Sequence, residues 1–193
     1  FAMESPLGSI VSQVLSSNTV HLVFDFQISK EPHSPHRTEW HQDQGSNPVH
    51  GFNVVTTWVP LDVVTGESGA PEYLRGSHSW NRWFMPPRGK DPKTVVDDQY
   101  DATFYEPEPG EFTDGGPKVR QRKYDEKFEV QPNFIEIYDE LDLISFDAKP
   151  GDIVLSHLLT VHWAPGNYTD RRRRSIGARW AGKGTSFALR EGV

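Results

Sequence analysis

Residues 20–30 read VHLVFDFQISK, and apolar residues at the even positions alternate with mostly polar ones. A period of two places the apolar side chains on one face, which predicts a half-buried β-strand. Further strand-like segments, rich in β-branched and aromatic residues, lie at 52–64, 134–138, 143–146, 153–155 and 175–180. Many short strands in a chain with 16 glycines and 15 prolines favour a mainly β protein, an antiparallel sandwich or jelly roll.

One helix and one long excursion interrupt this pattern. The helix is predicted at 6–16, where Pro6 can occupy the first turn. The segment 82–132 is polar and rich in Pro, Gly and Asp, so we interpret it as an insertion or lid within a single domain of 1–193. A surface insertion without function is an equally open interpretation. The sequence begins with Phe1 rather than Met and ends at Val193 without an obvious finishing element, so we expect it to be a piece truncated at both ends.

Composition excludes several classes of protein. The 193 residues carry 20 basic and 27 acidic side chains, a net charge of -7 that argues against a nucleic-acid groove. No run approaches the roughly 20 apolar residues of a membrane helix and no secretory signal opens the chain, so a cytoplasmic location is the default. Because the sequence has no cysteine, a metal ion can be bound only through histidine or carboxylate side chains.

The tetrapeptide Trp40-His41-Gln42-Asp43 is the sharpest chemical signal. Residues two apart on a strand point to the same face, so His41 and Asp43 can bind one ion together. One imidazole and one carboxylate need a second histidine to complete the facial triad of mononuclear iron(II) oxygenases. On its own, the His-x-Asp pattern is common among ordinary polar surface residues.

Four histidines downstream are candidates for the third ligand. His50 and His78 lie in Gly-flanked segments and are interpreted as turn residues. His157 and His162 follow a strand-like segment and are five residues apart, so in an unbroken strand they would face opposite ways. Only one of these two is therefore expected to reach the metal, and spacing alone leaves the choice open.

The ordered motifs of this chain resemble the phytanoyl-CoA dioxygenase family. They span most of residues 20–182: KEP at 30–32, TEWHQD at 38–43, WVPLD at 58–62, ESGA at 67–70, RGSH at 75–78, GD at 151–152, PGN at 165–167 and RRSI at 173–176. The resemblance implies a double-stranded β-helix (jelly roll). It also implies an oxygenase that uses Fe(II), 2-oxoglutarate and O2.

The resemblance assigns roles residue by residue. It selects His162 over His157 as the third ligand beside His41 and Asp43. It places Arg173 at the distal carboxylate of 2-oxoglutarate, a role that suits a planar, permanently charged guanidinium. Trp58 and Gln27 are weaker candidates for cosubstrate contacts, with a core role for Trp58 and a barrel-lining role for Gln27 as alternatives.

The substrate is the least specified part of this prediction. Related halogenases replace the carboxylate ligand with a small residue, so Asp43 favours hydroxylation or another outcome of hydrogen abstraction. Aromatic residues in and beside the insertion favour a moderately apolar small molecule if they line its mouth: Trp80, Trp83, Phe84, Tyr100, Phe104 and Tyr105. The alternative is that they only pack against the barrel. A cupin-like metal protein without 2-oxoglutarate, and a silent relative used for binding, are the competing interpretations. The sequence does not indicate an oligomeric state.

Overall fold

Eight strands form two facing four-stranded sheets, and four further strands of the described residues pair in two two-stranded sheets. The computed structural model describes residues 1–84 and 128–188. The described residues contain one helix, α1 (Leu7–Val14), and twelve strands: β1 (His21–Lys30), β2 (Thr38–His41), β3 (Val49–His50), β4 (Val54–Pro60), β5 (Glu72–Leu74), β6 (Trp83–Phe84), β7 (Phe128–Glu129), β8 (Leu143–Ser145), β9 (Val154–His157), β10 (His162–Ala164), β11 (Arg173–Ala181) and β12 (Ser186–Phe187).

The strand order defines a jelly roll. The major sheet has the order β1-β11-β4-β9 and the minor sheet the order β2-β10-β5-β8, and both are antiparallel. Neighbouring strands are far apart in sequence, as the crossing connections of this architecture require. The predicted fold class is confirmed, and β1, β4, β8, β9 and β11 fall on the segments predicted to be strands.

The helix α1 covers the outer face of the major sheet. Leu7 and Val11 are buried against Val55 of β4 and against Ala178 and Trp180 of β11. Because successive residues of a strand alternate in direction, the remaining residues of β11 point toward the minor sheet. The helix predicted at 6–16 therefore forms, and its packing defines which face of the major sheet lines the interior.

The alternation along β1 and β11 is fixed by their register. Phe24 pairs with Arg179, Phe26 with Gly177, Ile28 with Ser175 and Lys30 with Arg173. A Cβ added to Gly177 would lie 2.3 Å from the ring of Phe26, so the glycine leaves the space that this ring fills.

Two predictions about local structure are wrong. Residues 134–138 form turns that lead into a 3-10 segment, Tyr138–Glu140, instead of a strand. The side chain of Asn133 accepts a hydrogen bond from the amide of Ile135, which favours a turn over an extended ladder. His50, predicted to be a turn residue, lies in the two-residue strand β3, which pairs with β12.

The predicted insertion is described only at its two ends. Trp83 and Phe84 of β6 pair in parallel with Phe128 and Glu129 of β7. Both aromatic residues of β6 are buried and pack against the barrel, as the alternative interpretation has it, whereas Trp80 is exposed. Residues 85–127, which include Tyr100, Phe104 and Tyr105, lie outside the described residues. None of the helices in the described ranges is long and apolar enough to cross a membrane.

Gly69 and Gly76 have similar backbone angles but different surroundings, so a comparison of the two distinguishes the cost of backbone strain from that of a steric clash. Gly69 has φ +83° and a Cβ there would lie 2.8 Å from the carbonyl oxygen of Pro165, whereas Gly76 has φ +71° and open space. Alanine at either position costs about 1–2 kcal/mol for the left-handed conformation. We expect Gly69→Ala to lower the free energy of unfolding by about 1–3 kcal/mol more than Gly76→Ala, measured by denaturant titration. Equal losses would contradict the close approach at Gly69.

Candidate functional site

His41 and Asp43 are brought to one face by a strand that ends between them. Strand β2 ends at His41, Gln42 is extended, and Asp43 begins a 3-10 turn, so the pair does not lie on one uninterrupted strand as predicted. Gln42 points the other way and is buried. Its side chain donates to the carbonyl of Leu159 at 2.8 Å and accepts from the amide of Phe84 at 2.8 Å, which fixes the backbone between the two candidate ligands.

Strand β10 supplies the third member of the cluster. His162 pairs directly with His41 across the β10–β2 ladder, and the ring centroids are 4.2 Å apart. Nε2 of His41 lies 3.5 Å from Oδ1 of Asp43, and Nε2 of His162 lies 4.0 Å from the same oxygen. One donor atom from each of the three residues lies within 4.8 Å of the others.

Backbone carbonyls set the orientation of both imidazoles. Nδ1 of His41 contacts the carbonyl of Glu39 at 2.7 Å, and Nδ1 of His162 contacts the carbonyl of Thr160 at 2.9 Å. Because a carbonyl only accepts, Nδ1 is the protonated nitrogen and the lone pair of Nε2 faces the cluster. Burial, followed by the neighbouring His41, lowers the pKa of His162 to about 4, so this ring is neutral at pH 7.

These three residues fit a divalent metal ion of the iron group. Two imidazole nitrogens and one carboxylate oxygen lie close together, which is the donor set of the two-histidine, one-carboxylate facial triad. Backbone carbonyls, such as those that hold His41 and His162, are also common partners of metal-binding histidines. The residues thus satisfy the donor chemistry, the spacing and the tautomers that such an ion requires.

The structure separates His157 from this cluster. Nε2 of His157 contacts the carbonyl of Phe52 at 2.7 Å, and its Nδ1 accepts from the amide of Leu159 at 3.0 Å. Its ring lies near that of His78, with centroids 5.8 Å apart. Both nitrogens of His157 therefore have partners in the protein, whereas Nε2 of His162 is directed at Asp43.

Two residues that the sequence analysis missed hold the carboxylate of Asp43. Thr56 of β4 donates its hydroxyl to Oδ2 at 2.7 Å, and Arg179 of β11 donates from Nη2 to Oδ1. Burial by itself raises the pKa of Asp43, but the charge of Arg179, followed by the two histidines, outweighs it and holds this pKa well below its usual range. Asp43 is therefore ionised, with one partner on each oxygen.

Arg179 is itself unusually placed. The residue is 8 % exposed, and its guanidinium lies over the rings of Phe24 and Phe26, at 5.0 and 4.4 Å from their centroids. Its Nε and Nη1 are buried and have no hydrogen-bond partner among residues 1–84 and 128–188. The signal for this residue was present in the sequence, because Arg179 is an even number of residues from Arg173 and so shares its face of β11.

Arg173 lies on the inner face of β11, the face that also carries Arg179, and is 2 % exposed. Its guanidinium donates to the carbonyls of Ser68 and Gly69 and to the hydroxyl of Ser175, and it lies 5.7 Å from the ring centre of Trp58. Burial lowers the pKa of Arg173 to about 10, so the group stays charged at pH 7. The other three arginines of the run, Arg171, Arg172 and Arg174, are exposed.

The two weaker candidates from the sequence have different positions. Trp58 is buried and faces inward beside Arg173. Gln27 pairs with Ile176, is exposed, and belongs to the opposite face of β1 from Lys30, the partner of Arg173. The structure thus places Trp58 beside Arg173 and directs the Gln27 side chain away from it.

Tyr73 connects the two parts of the site. Its ring stacks on His162 with centroids 5.5 Å apart and an interplanar angle of 24°. Burial, and then the charge of Asp43, raise the pKa of Tyr73, while the charge of Arg173 lowers it less strongly. The charges of both Asp43 and Arg173 act on this phenol, and its raised pKa keeps it uncharged at pH 7. No local sequence pattern marked this residue.

The fold and the cluster together define a jelly-roll protein with a facial triad of two histidines and one aspartate. A sequence model described as phytanoyl-CoA dioxygenase (PhyH) matches residues 1–175. This chain belongs to the phytanoyl-CoA dioxygenase family, which confirms the resemblance found in the motifs. A comparison with curated proteins gave no match.

Solved structures share the fold at low sequence identity. The epimerase SnoN in complex with Fe3+, alpha ketoglutarate and nogalamycin RO is 22% identical, with a TM-score of 0.60 over 97% of this chain and 59% of SnoN. The carbocyclase SnoK from nogalamycin biosynthesis is 18% identical, with a TM-score of 0.62 over 94% of this chain and 57% of SnoK. EvdO2 from Micromonospora carbonacea var. aurantiaca, complexed with 2-oxoglutarate, is 21% identical, with a TM-score of 0.57 over 97% and 64%. This chain thus spans less than two thirds of each of these proteins.

The hydroxyl of Thr56 provides a test of the cluster that leaves all three candidate ligands in place. We expect Thr56→Val to raise the dissociation constant for cobalt(II) about 10- to 100-fold, because one carboxylate oxygen of Asp43 loses its donor. The measurement is a titration of metal-free protein followed by visible absorption.

Thr57→Val is the matched control. Thr57 is the next residue of β4, is fully buried and donates to Ala178 on the opposite face. The same chemical change there should lower stability and leave metal affinity within about twofold of the wild type. Equal effects of the two substitutions on metal affinity would show that Thr56 has no special relation to the cluster.

Proposed function

We propose that this chain forms the catalytic domain of an Fe(II)- and 2-oxoglutarate-dependent oxygenase that oxidises a C–H bond of a small organic molecule. The observation that carries the proposal is the presence of two sites in one interior, linked by β11, whose Arg179 contacts Asp43. The cluster His41, Asp43 and His162 is the first, and Arg173, buried at the other end of the inner face of β11, is the second.

The ligand set matches what this chemistry requires. Three protein ligands leave three positions of a six-coordinate ion for the cosubstrate and dioxygen. The bound iron would supply the oxidation, in which one O2 and one 2-oxoglutarate give succinate, CO2 and one oxygen atom for the hydroxylated product. Arg179 and Thr56 would keep Asp43 ionised and oriented.

Residues of this chain account for the binding and orientation of the cosubstrate. The guanidinium of Arg173 would bind the distal carboxylate, since a planar group with fixed donors recognises a carboxylate with two hydrogen bonds. Trp58 packs beside that guanidinium, and the buried ring of Tyr73 stacks on His162.

Comparison with the solved structures supports the same chemistry. SnoN has been determined with Fe3+ and alpha ketoglutarate, and EvdO2 with 2-oxoglutarate. SnoN is an epimerase and SnoK a carbocyclase, so one fold supports different outcomes. For this chain we infer hydroxylation, or another outcome of hydrogen abstraction, because Asp43 occupies the position that halogenases leave open.

The inner surface also favours an apolar part in the substrate. Phe24 and Phe26 flank Arg179 beside the cluster, and Phe24 remains 39 % exposed. A moderately apolar small molecule could bury surface against these rings while a polar group reaches Arg179.

Anaerobic absorption spectroscopy tests the proposal directly. Iron(II) and then 2-oxoglutarate are added to metal-free protein, and the weak visible charge-transfer band of the chelate is recorded. We expect the band in the wild-type protein and in His157→Ala, and its loss in His162→Ala, because only the latter removes a nitrogen directed at Asp43. Iron binding without the band would overturn the cosubstrate assignment and favour a cupin-like metal protein.

A further inference from the structure

Two indole rings lie directly behind the cluster of His41, Asp43 and His162. Trp40 precedes His41 on β2, and Trp163 follows His162 on β10. Because neighbouring residues of a strand point to opposite faces, both indoles leave the minor sheet on the side away from the cluster. The two rings stack on each other, with centroids 5.5 Å apart and an interplanar angle of 23°. Each candidate histidine ligand is therefore the chain neighbour of one member of this stack.

Tyr138 connects the stack to the protein surface. Its ring meets that of Trp163 edge-on, with centroids 5.8 Å apart, and its centroid lies 6.5 Å from that of Trp40. Trp40 is 4 % exposed, whereas Tyr138 is 38 % exposed. The three rings thus form an unbroken series that begins beside the ligands and ends at solvent.

Glu72 accepts a hydrogen bond from two members of this series. Its Oε2 lies 2.8 Å from the phenol oxygen of Tyr138 and 2.8 Å from Nε1 of Trp163. Glu72 is directly opposite Trp163 in the β5–β10 ladder, which fixes the carboxylate on this face of the sheet. Burial, followed by the hydrogen bond to Glu72, raises the pKa of Tyr138 to about 12, so the phenol keeps its proton at pH 7.

These groups have the chemistry of an electron-transfer series. Indole and phenol are among the side chains that lose one electron most readily. A phenol that has lost an electron becomes strongly acidic, and the proton of Tyr138 can then pass along its existing hydrogen bond to Glu72. The products are a neutral radical and a neutral acid, so no unpaired charge remains in this partly buried position.

We propose that Trp40, Trp163 and Tyr138 form a relay that carries electrons from the surface to the metal site when 2-oxoglutarate is consumed without substrate. This inference rests on the proposed function. In such a cycle O2 and 2-oxoglutarate give succinate, CO2 and one oxygen atom that no substrate accepts. The relay would protect the aromatic side chains of the interior, such as Tyr73, from oxidation by that atom.

The electrons and protons of this step balance. Two electrons and two protons convert the unused oxygen atom to water. Each electron leaves Tyr138 as its proton passes to Glu72, and one proton is taken up from solvent at the metal site. An enediol reductant of the ascorbate class then returns one hydrogen atom to the phenoxyl radical, and Glu72 releases its proton. One reductant molecule loses two hydrogen atoms for each water formed.

The competing role of these rings is structural, because Trp40 and Trp163 also pack in one apolar cluster with Phe134. Tyr138→Phe separates the two roles, since it keeps the ring and removes only the O–H group that donates to Glu72. Tyr168→Phe is the matched control, because Tyr168 is 62 % exposed in the segment between β10 and β11.

Rapid freezing and EPR spectroscopy test the relay. Fe(II)-loaded protein with 2-oxoglutarate is mixed with O2 in the absence of substrate, and ring-deuterated tyrosine identifies a tyrosyl signal by its narrowing. We expect a tyrosyl radical in the wild type and in Tyr168→Phe, and its loss in Tyr138→Phe. Trp163→Phe should slow its formation severalfold, because it interrupts the series. The anaerobic charge-transfer band should be the same in all four proteins.

A second measurement follows the consequence of the relay. With ascorbate present, the wild type should release severalfold more succinate per iron than Tyr138→Phe before activity is lost. Mass spectrometry should then show more oxygen added to interior aromatic residues in Tyr138→Phe than in the wild type or Tyr168→Phe.

The contrary outcomes are distinct. A radical that persists in Tyr138→Phe, or one that forms only at Tyr73, would overturn the relay, as would equal succinate yields. If O2 gives no succinate without substrate, hydrogen peroxide is added to the Fe(II) protein as the oxidant, and absence of a radical at Tyr138 would again overturn it. If Fe(II) and 2-oxoglutarate give no band with the wild type, the proposed function itself fails.

Discussion

The structure depends on the register of β11 between β1 and β4. This register sends every second residue of β11 inward, so that Arg173, Ser175, Gly177 and Arg179 form one row. Arg173 at one end of the row reaches the Gly69 turn, and Arg179 at the other end reaches Asp43 in the facing sheet. A slip of one residue would exchange this row for the face that packs against α1, and it would place two arginines against an apolar helix. The packing of Ala178 and Trp180 against α1 therefore also determines that the alternate residues of β11, including both arginines, face the interior.

A second constraint is the burial of charge. Asp43 is 1 % exposed, and an isolated carboxylate there would be strongly destabilising. Arg179 and Thr56 offset this cost by each donating a hydrogen bond to one of its oxygens, and the two neighbouring histidines also favour the ionised form. The partners come from both sheets, so formation of the site and docking of the sheets are parts of the same event. This coupling orients the candidate ligands before any ion binds, which reduces the reorganisation that binding requires.

The sequence predicted those features that lie within one segment. Alternation located β1, β4 and β11, and the motif around His41 together with the family resemblance located the cluster and Arg173. It did not reveal Thr56 or Tyr73, because their importance comes from cross-strand neighbours that no local pattern encodes, and the even spacing of Arg179 from Arg173 was not used. Gln27 was proposed because it lies on the more polar face of β1. In this protein the interior receives the face of Phe24 and Phe26 instead, and the cation that meets Arg173 is Lys30 at the end of that face. The segment 134–138 failed as a strand because composition suggested β structure while the Asn133 side chain stabilised a turn.

The short parallel ladder between β6 and β7 has a consequence for how such a domain can diversify. Trp83 and Phe128 are neighbours in space although they are distant in sequence, and both are buried against Leu159. The chain therefore leaves the barrel and returns to it at one place, where β6 and β7 pair. With the two ends pinned side by side, the entropic penalty of lengthening or shortening the intervening segment grows only slowly with its length. Evolution or a protein engineer could therefore exchange that segment, while the candidate metal ligands and Arg173, all of which lie outside it, keep their geometry.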